Sequence, residues 1–405
     1  SAAEAAAALR AHAADRLPAA WLPHHLVATE QIPLGTSGKT DRRRLAEVAP
    51  PTVDRGDRTP RTLLAQRLCA LIGDVLAVAR VEEDTDFFDA GGDSLAVLRL
   101  LAAIEDEFAV RLSLADVFAH PQAAQLAGLL ADGGGTAEIE EILTLRRGEA
   151  DRDPLFLLPP AGGLGWCYAG LLRRLPPEQP VHAVQAPGLA AGRPEPVADL
   201  AALARRQLGA IRSVVGEGGF HVAGWSLGGM AAHEVAALAR RDGQEVGAVA
   251  LLDAYPSDQW QHLAEPTEAE ALVGILRLGG VEPPEGTLDR ATAVHLLRES
   301  GSAIGQLPEL VLSGCLASVV EAARIVRLSS HTVLPGDLTV LVATAPRAET
   351  WLDADGWRPY VTGEVHRVEL AAGHGELVRR PVVDLVGEML AGLIAESRVA
   401  AGVRR

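Results

Sequence analysis

Four side chains of this 405-residue chain have neighbours that could make them reactive. Ser226 lies in Gly224-Trp225-Ser226-Leu227-Gly228, with the largely apolar run Phe220 to Ala223 before it and Met230 to Arg240, spaced as a helix, after it. A serine held in a sharp turn between two glycines presents its hydroxyl on a strained backbone, where a neighbouring base can turn it into a nucleophile. The G-x-S-x-G string arises by chance in a chain with 41 glycines, so the strand before it and the helix after it carry the reading. Asp253 closes the apolar run Val246 to Leu252, and His374 sits in the loop Ala372-Gly373-His374-Gly375. A serine, an imidazole and a carboxylate together can perform acyl transfer through a covalent acyl-enzyme. The fourth is Ser94, directly after Asp93 in DFFDAGGDSL, residues 86–95. Asp93 could cap a helix whose first N–H groups favour a phosphate on Ser94; on pattern alone a plain Asp-Ser cap fits equally.

The elements that must position these groups alternate between strand and helix. Pro154 to Leu158 reads as a buried strand, with Glu140 to Leu145 as an edge strand before it and Val181 to Gln185 as a further strand after it. Ala198 to Val215 reads as a helix, followed by the strand, turn and helix around Ser226. This is the nucleophile elbow of an α/β-hydrolase, in which the catalytic order along the chain is serine, acid, histidine. Asp253 is the acid at the end of the next apolar strand, a turn or capping aspartate being the plain alternative. Of the later histidines, His262 and His295 fall in a helical stretch, His331 precedes a strand and His366 lies within one. His374 alone follows a strand in a glycine loop. The loop Pro159-Pro160-Ala161-Gly162-Gly163 is either an ordinary turn or half of an oxyanion hole, with N–H groups from Ala161 and Leu227. Residues from about 257 to 335 interrupt the alternation with apolar helices, Glu268 to Leu278 and Leu310 to Leu328 among them, as a lid or a plain helical layer. The pattern from Val382 to Ile394 is an amphipathic helix that covers the sheet.

Upstream, residues 61–132 carry two helical spacings, Leu63 to Val75 and Leu95 to Phe108, on either side of DFFDAGGDSL. Gly133-Gly134-Gly135 reads as a flexible joint, and Pro50, Pro51 and Pro60 mark a linker. Residues 1–17 read as an Ala-rich helix. The loop Pro33 to Arg42 ends in Lys39-Thr40 without the glycine spacing of a P-loop, so that reading fails.

A formal charge of -16 and a pI near 5.2 exclude nucleic acid and anionic membranes as expected partners. No apolar run spans a bilayer and no signal-peptide layout opens the chain, so a cytoplasmic location is expected. Cys69, Cys167 and Cys315 lack metal-ligand spacing and read as reduced thiols; no metal site is expected.

Three stretches carry a family resemblance. LPAAWLPHHLVATEQIPLGTSGKTDRRRL resembles the end of a nonribosomal peptide synthetase adenylation domain, whose last motif holds a lysine that engages the acyl-adenylate, here Lys39. The rest of such a domain is missing, so Lys39 is expected to be a bystander. DFFDAGGDSL resembles the peptidyl carrier protein motif, which implies 4′-phosphopantetheine on Ser94. PLFLLPPAGGLGW, VQAPGL, GWSLGG, VALLDAYP and GHGEL follow the order of the thioesterase that ends such synthetases. That resemblance implies Ser226, His374 and Asp253 as a triad, Ala161 and Leu227 as oxyanion donors, and an acid after an earlier strand than in most α/β-hydrolases. The expected architecture is an adenylation remnant over 1–50, a four-helix carrier over 61–132 and an α/β-hydrolase over 137–400 with its helical lid. Together with an opening Ser1, the remnant reads as a piece excised from a longer chain.

The expected function is release of a peptidyl thioester from the chain's own carrier by hydrolysis or macrocyclisation, in antibiotic or siderophore biosynthesis. Upstream synthetase modules and a phosphopantetheinyl transferase are the implied partners. A general serine esterase and a non-catalytic interaction module are the rival readings. Trp166, Trp225, Tyr255 and Trp260 either line an acyl channel or simply pack.

Overall fold

The helical spacings on either side of Asp86 fold as α1 (Leu63–Leu76) and α2 (Ser94–Phe108), followed by α3 (Leu114–Ala119) and α4 (Ala123–Ala131). Leu68, Ile72, Phe87, Leu100, Ile104 and Leu126 are fully buried between them; of these, Leu68, Ile72 and Ile104 belong to the helical spacings read from the sequence. Phe88 stacks on Phe118 at 4.8 Å, which fastens the loop before α2 to α3. This computed structural model describes residues 63–403 apart from 79, 109, 132–140, 187, 190–194, 265–266, 279–280, 285, 287, 301–304, 306 and 308. Lys39, the stretch 1–50 and the glycine joint 133–135 lie outside the described residues.

Seven strands form one sheet in the order β1-β3-β2-β4-β5-β6-β7. They are β1 (Ile142–Arg146), β2 (Leu155–Leu158), β3 (Val181–Val184), β4 (Phe220–Trp225), β5 (Val246–Leu252), β6 (Leu338–Ala343) and β7 (Val365–Leu370). Only β1 runs antiparallel, against β3 at the edge. Strands β2, β4 and β6 are buried at every position, which is why they read as continuous apolar runs rather than alternating ones. Successive residues still point to opposite faces: Val222 joins the core under α5 (Leu200–Val215) and α6 (Leu227–Arg241), whereas Ala223 joins the core under α10 (Val382–Val403).

The chain passes from β3 back across β2 to β4, so the order reverses between β2 and β4. In open α/β sheets the crevice beyond the carboxyl ends of the strands at such a reversal is where ligands bind. Ser226 and the Pro159–Pro160 loop flank it. Between β5 and β6 the insertion supplies α7 (Glu268–Leu278), α8 (Arg290–Glu299) and α9 (Glu309–Leu328). Helix α9 reaches over the loop after β2, where Ser318 Oγ comes within 3.0 Å of the Cβ that a side chain at Gly163 would carry.

The two feet of the insertion are tied to each other, and the second is tied to the helix that starts at the elbow. The Ser257 N–H donates to His331 Nε2 at 3.0 Å, and the Thr332 N–H donates to Glu234 Oε2 at 2.9 Å. The Thr332 hydroxyl donates to the other oxygen of Glu234, a buried residue of α6. The four-helix unit meets the sheet through α3 against β1 and α2 against the helical turn Gly165–Arg173. Its acidic loop faces cations there: Asp86 and Asp89 act on Arg146, and the Arg380 guanidinium lies beside Gly91.

Candidate active site

Ser226 adopts φ +59, ψ -125, a left-handed conformation that costs a non-glycine residue on the order of 1 kcal/mol or more and is held here by its surroundings. The two flanking glycines are forced by contact. A Cβ on Gly224 would lie 2.1 Å from the Gly228 carbonyl oxygen, and one on Gly228 would lie 2.2 Å from the Leu158 carbonyl oxygen. Gly228 therefore lets α6 close against the end of β2, which brings the start of α6 beside the Pro159–Pro160 loop. Leu227 is the first residue of α6, so its N–H has no acceptor inside the helix. Ala161 lies in the turn that the Gly163 N–H closes by donating to Pro160 O at 2.8 Å.

Asp253 follows β5 in a left-handed conformation with φ +47, and its N–H donates to Leu341 O on β6 at 2.7 Å. Its side chain is fully buried. His374 Nδ1 is 2.7 Å from Asp253 Oδ2. An ionised carboxylate only accepts, so Nδ1 carries the proton and Nε2 keeps a lone pair. Burial works against the Asp253 anion. Bonds from His374, Arg347 and Tyr255 outweigh it and hold the carboxyl at about 2.

The structure places the other histidines elsewhere. His366 is exposed on β7, and His295 faces Glu299 on the surface of α8. His331 is taken up in the foot of the insertion, where it packs against His233 and Trp357. Among the described residues His233, Glu234 and His331 bring metal-ligand atoms within 4.8 Å of one another. Both Glu234 oxygens accept from Thr332, His233 Nε2 donates to Tyr360 O, and His331 Nε2 accepts from Ser257. The Glu234 oxygens and both Nε2 atoms are committed to bonds within the protein, while Nδ1 of His233 and of His331 are buried without a hydrogen-bond partner.

Three residues of the site carry no local sequence signal for what they do. Trp225 was expected to pack or line a channel; its indole N–H instead donates to His374 O at 3.0 Å, with the two rings 5.1 Å apart. The residue before the nucleophile thus holds the histidine loop. Tyr168 is fully buried, and its hydroxyl donates to Leu158 O at 2.6 Å while accepting from the Trp225 N–H at 2.8 Å. One hydroxyl bridges β2 and β4 where the two strands end. Arg347, beyond β6, places Nη1 3.1 Å from Asp253 Oδ2 and Nη2 3.0 Å from Oδ1. Of the remaining aromatic candidates, Tyr255 donates its hydroxyl to Asp253 Oδ1 at 2.7 Å, Trp166 is buried, and Trp260 packs on Trp351.

Tyr168→Phe is expected to leave a buried N–H and a buried carbonyl without their partner and to lower stability by about 1–3 kcal/mol. Thermal unfolding measures this; an unchanged melting temperature would show that the bridge carries no stability.

In the four-helix unit five residues of the loop before α2, Asp86, Phe87, Phe88, Gly92 and Asp93, have a structural reason. Asp86 Oδ1 accepts the N–H groups of Phe88 and Asp89 at 2.8 and 3.1 Å, and Phe87 and Phe88 are buried anchors. A Cβ on Gly92 would lie 2.2 Å from the Phe87 ring. Asp93 Oδ1 accepts the N–H groups of Leu95 and Ala96 at 3.1 and 2.9 Å, so Ser94 is delivered at the first position of a capped helix. A phosphodiester fits there, on the positive end of the α2 dipole and with the exposed Arg380 guanidinium beside the same loop.

A mostly parallel sheet with a strained serine between β4 and α6, and a histidine–aspartate pair at the carboxyl ends of its strands, defines an α/β-hydrolase. Residues 153–390 match the thioesterase domain family, and residues 66–130 match the phosphopantetheine attachment site family. The chain belongs to the thioesterase domain family, with a phosphopantetheine carrier domain preceding the enzyme as at the end of nonribosomal peptide synthetases. It is 34% identical over 398 residues to a dimodular nonribosomal peptide synthase of Bacillus subtilis, covering 96% of this chain and 16% of that protein. It is 26% identical over 394 residues to enterobactin synthase component F of Escherichia coli O157:H7, covering 95% of this chain and 28% of that protein. The chain therefore spans less than a third of either relative. The fold is similar to that of a holo four-domain nonribosomal peptide synthetase solved with AMP and glycine, at a TM-score of 0.57 and 20% identity, covering 96% of this chain and 30% of that one. Among the described residues no helix is long and apolar enough to cross a membrane.

Proposed function

We propose that this chain releases a peptide held as a thioester on its own carrier domain, through an acyl-enzyme on Ser226. The observation that carries the reading is the 2.7 Å bond from His374 Nδ1 to buried Asp253, on a loop that Trp225 ties to the elbow. Ser94 is the attachment point for 4′-phosphopantetheine, added by a phosphopantetheinyl transferase, and upstream synthetase modules supply the peptide. When bound, the arm presents a thioester carbonyl that an oxygen nucleophile can attack.

His374 Nε2 takes the Ser226 proton as Oγ attacks, and Asp253 holds the ring and stabilises its cation. The N–H groups of Leu227 and Ala161 receive the oxyanion. His374 then returns the proton to the leaving group. In the second half His374 deprotonates either water, which gives a linear acid, or an amine or hydroxyl of the peptide, which gives a ring. The insertion over the site acts as a lid. The working limits are 1–50 for the adenylation remnant, 61–132 for the carrier and 137–400 for the thioesterase, with its lid at about 257–335.

The test is the mass of what leaves a carrier-loaded peptide. Release of the linear acid, or of a product lighter by one water, supports the reading and identifies the second nucleophile. Cleavage of unattached small esters far better than carrier-bound acyl groups would make the chain a general esterase. No labelling of Ser226 by an active-site serine probe would make it a non-catalytic module.

A further inference from the structure

We infer that Arg347 is a positioning residue of this site: it grips the Asp253 carboxylate from the end of β6 and fixes the oxygen that His374 uses. This rests on the proposed roles of Ser226, His374 and Asp253.

Asp253 accepts five bonds. Oδ1 takes the Tyr255 hydroxyl at 2.7 Å, the Ala343 N–H at 3.0 Å and Arg347 Nη2 at 3.0 Å; Oδ2 takes Arg347 Nη1 at 3.1 Å and His374 Nδ1 at 2.7 Å. Two parallel bonds from one planar guanidinium fix the plane of the carboxylate as well as its position. With that plane set, Oδ2 has one direction left for the imidazole. The guanidinium is itself held, because it donates to the Ala343 carbonyl and its Cζ lies 5.3 Å from the centroid of the Tyr255 ring. Asp253 and Arg347 thus come from the ends of neighbouring strands, since Leu252 of β5 pairs with Leu341 of β6. An acid that follows β5 leaves the end of β6 able to supply the cation.

The clamp also has an electrostatic consequence that a pH profile reads separately from thermal stability. Among the described residues the titratable side chains bonded to Asp253 are His374, Tyr255 and Arg347. The Arg347 charge offsets part of the pull that Asp253 exerts on the imidazolium, so the clamp gains alignment and gives up some attraction. Removing the charge makes the imidazolium easier to form.

The full chain is assayed with a soluble thioester mimic as Arg347→Ala, Arg347→Lys and wild type, with Ser226→Ala and Asp253→Asn as controls. For Arg347→Ala we expect kcat to fall about 10²-fold from misalignment, with KM unchanged. The acid limb of kcat/KM should move up by about one pH unit. Arg347→Lys keeps the charge and loses the fork, so it should restore the limb and leave kcat low. A folded Arg347→Ala with wild-type kcat, or one that loses only thermal stability while its acid limb stays in place, overturns the inference. Should Arg347→Ala fail to fold, wild-type kcat in Arg347→Lys overturns it equally. Activity retained in Ser226→Ala would instead bring down the underlying reading, which the control shows separately.

Discussion

Ser226→Ala is expected to slow release by about 10⁴ to 10⁶ while leaving the fold intact, because the base and its orienting groups serve no other nucleophile. Alanine tolerates φ +59 no worse than serine does, and the bonds around the elbow run through Trp225, Tyr168 and backbone groups rather than through the hydroxyl. The acyl group then has nowhere to go. Intact-protein mass spectrometry after loading should show the added acyl mass retained on the carrier segment and none on the hydrolase segment. More than about a tenth of wild-type release would refute the assignment, as would acyl mass on the hydrolase segment.

Ser94→Ala should fail differently. No arm can be attached, so turnover of carrier-borne substrate stops, while a soluble thioester mimic is still cleaved because Ser226, Asp253 and His374 are untouched. The loss should be complete because tethering is what gives the arm its effective concentration at the elbow. Measuring both substrates on the same protein makes the comparison internal. If a folded Ser94→Ala protein also lost the mimic, delivery and chemistry would not be separable and the two-serine scheme would have to be abandoned.

The pieces of the site that were legible in the sequence are those whose signal is local or ordered along the chain. The elbow was legible because sterics at Gly224 and Gly228 demand glycine within a few residues of the serine. Asp253 and His374 could be singled out because each follows a strand, and an α/β-hydrolase fixes their order. The helices at 268–278 and 309–328 were legible from their apolar spacing. Tyr168 and Arg347 were not, because each acts on a partner 57 or 94 positions away and neither contact repeats with any period. The one hint was Arg347 itself, a cation just past a buried strand beside the strand that ends in Asp253. Trp225 was legible as a packing residue, which it is, but its bond to His374 was not, since nothing in the motif says that the histidine loop will fold against its indole.

The tied feet of the insertion change what opening can mean in this enzyme. Ser257 is fastened to the second foot through His331, whose ring packs on His233 of α6, and Thr332 is bonded to α6 through Glu234; α6 begins at the nucleophile. A cover whose two ends are joined at one root is expected to swing about that root rather than lift at either end. Its travel is expected to be widest at α8, farthest along the chain from either foot, and smallest at the root. A substitution that removes the tie of the second foot, such as Glu234→Ala, is expected to disturb α6, which begins at Ser226, as well as the insertion.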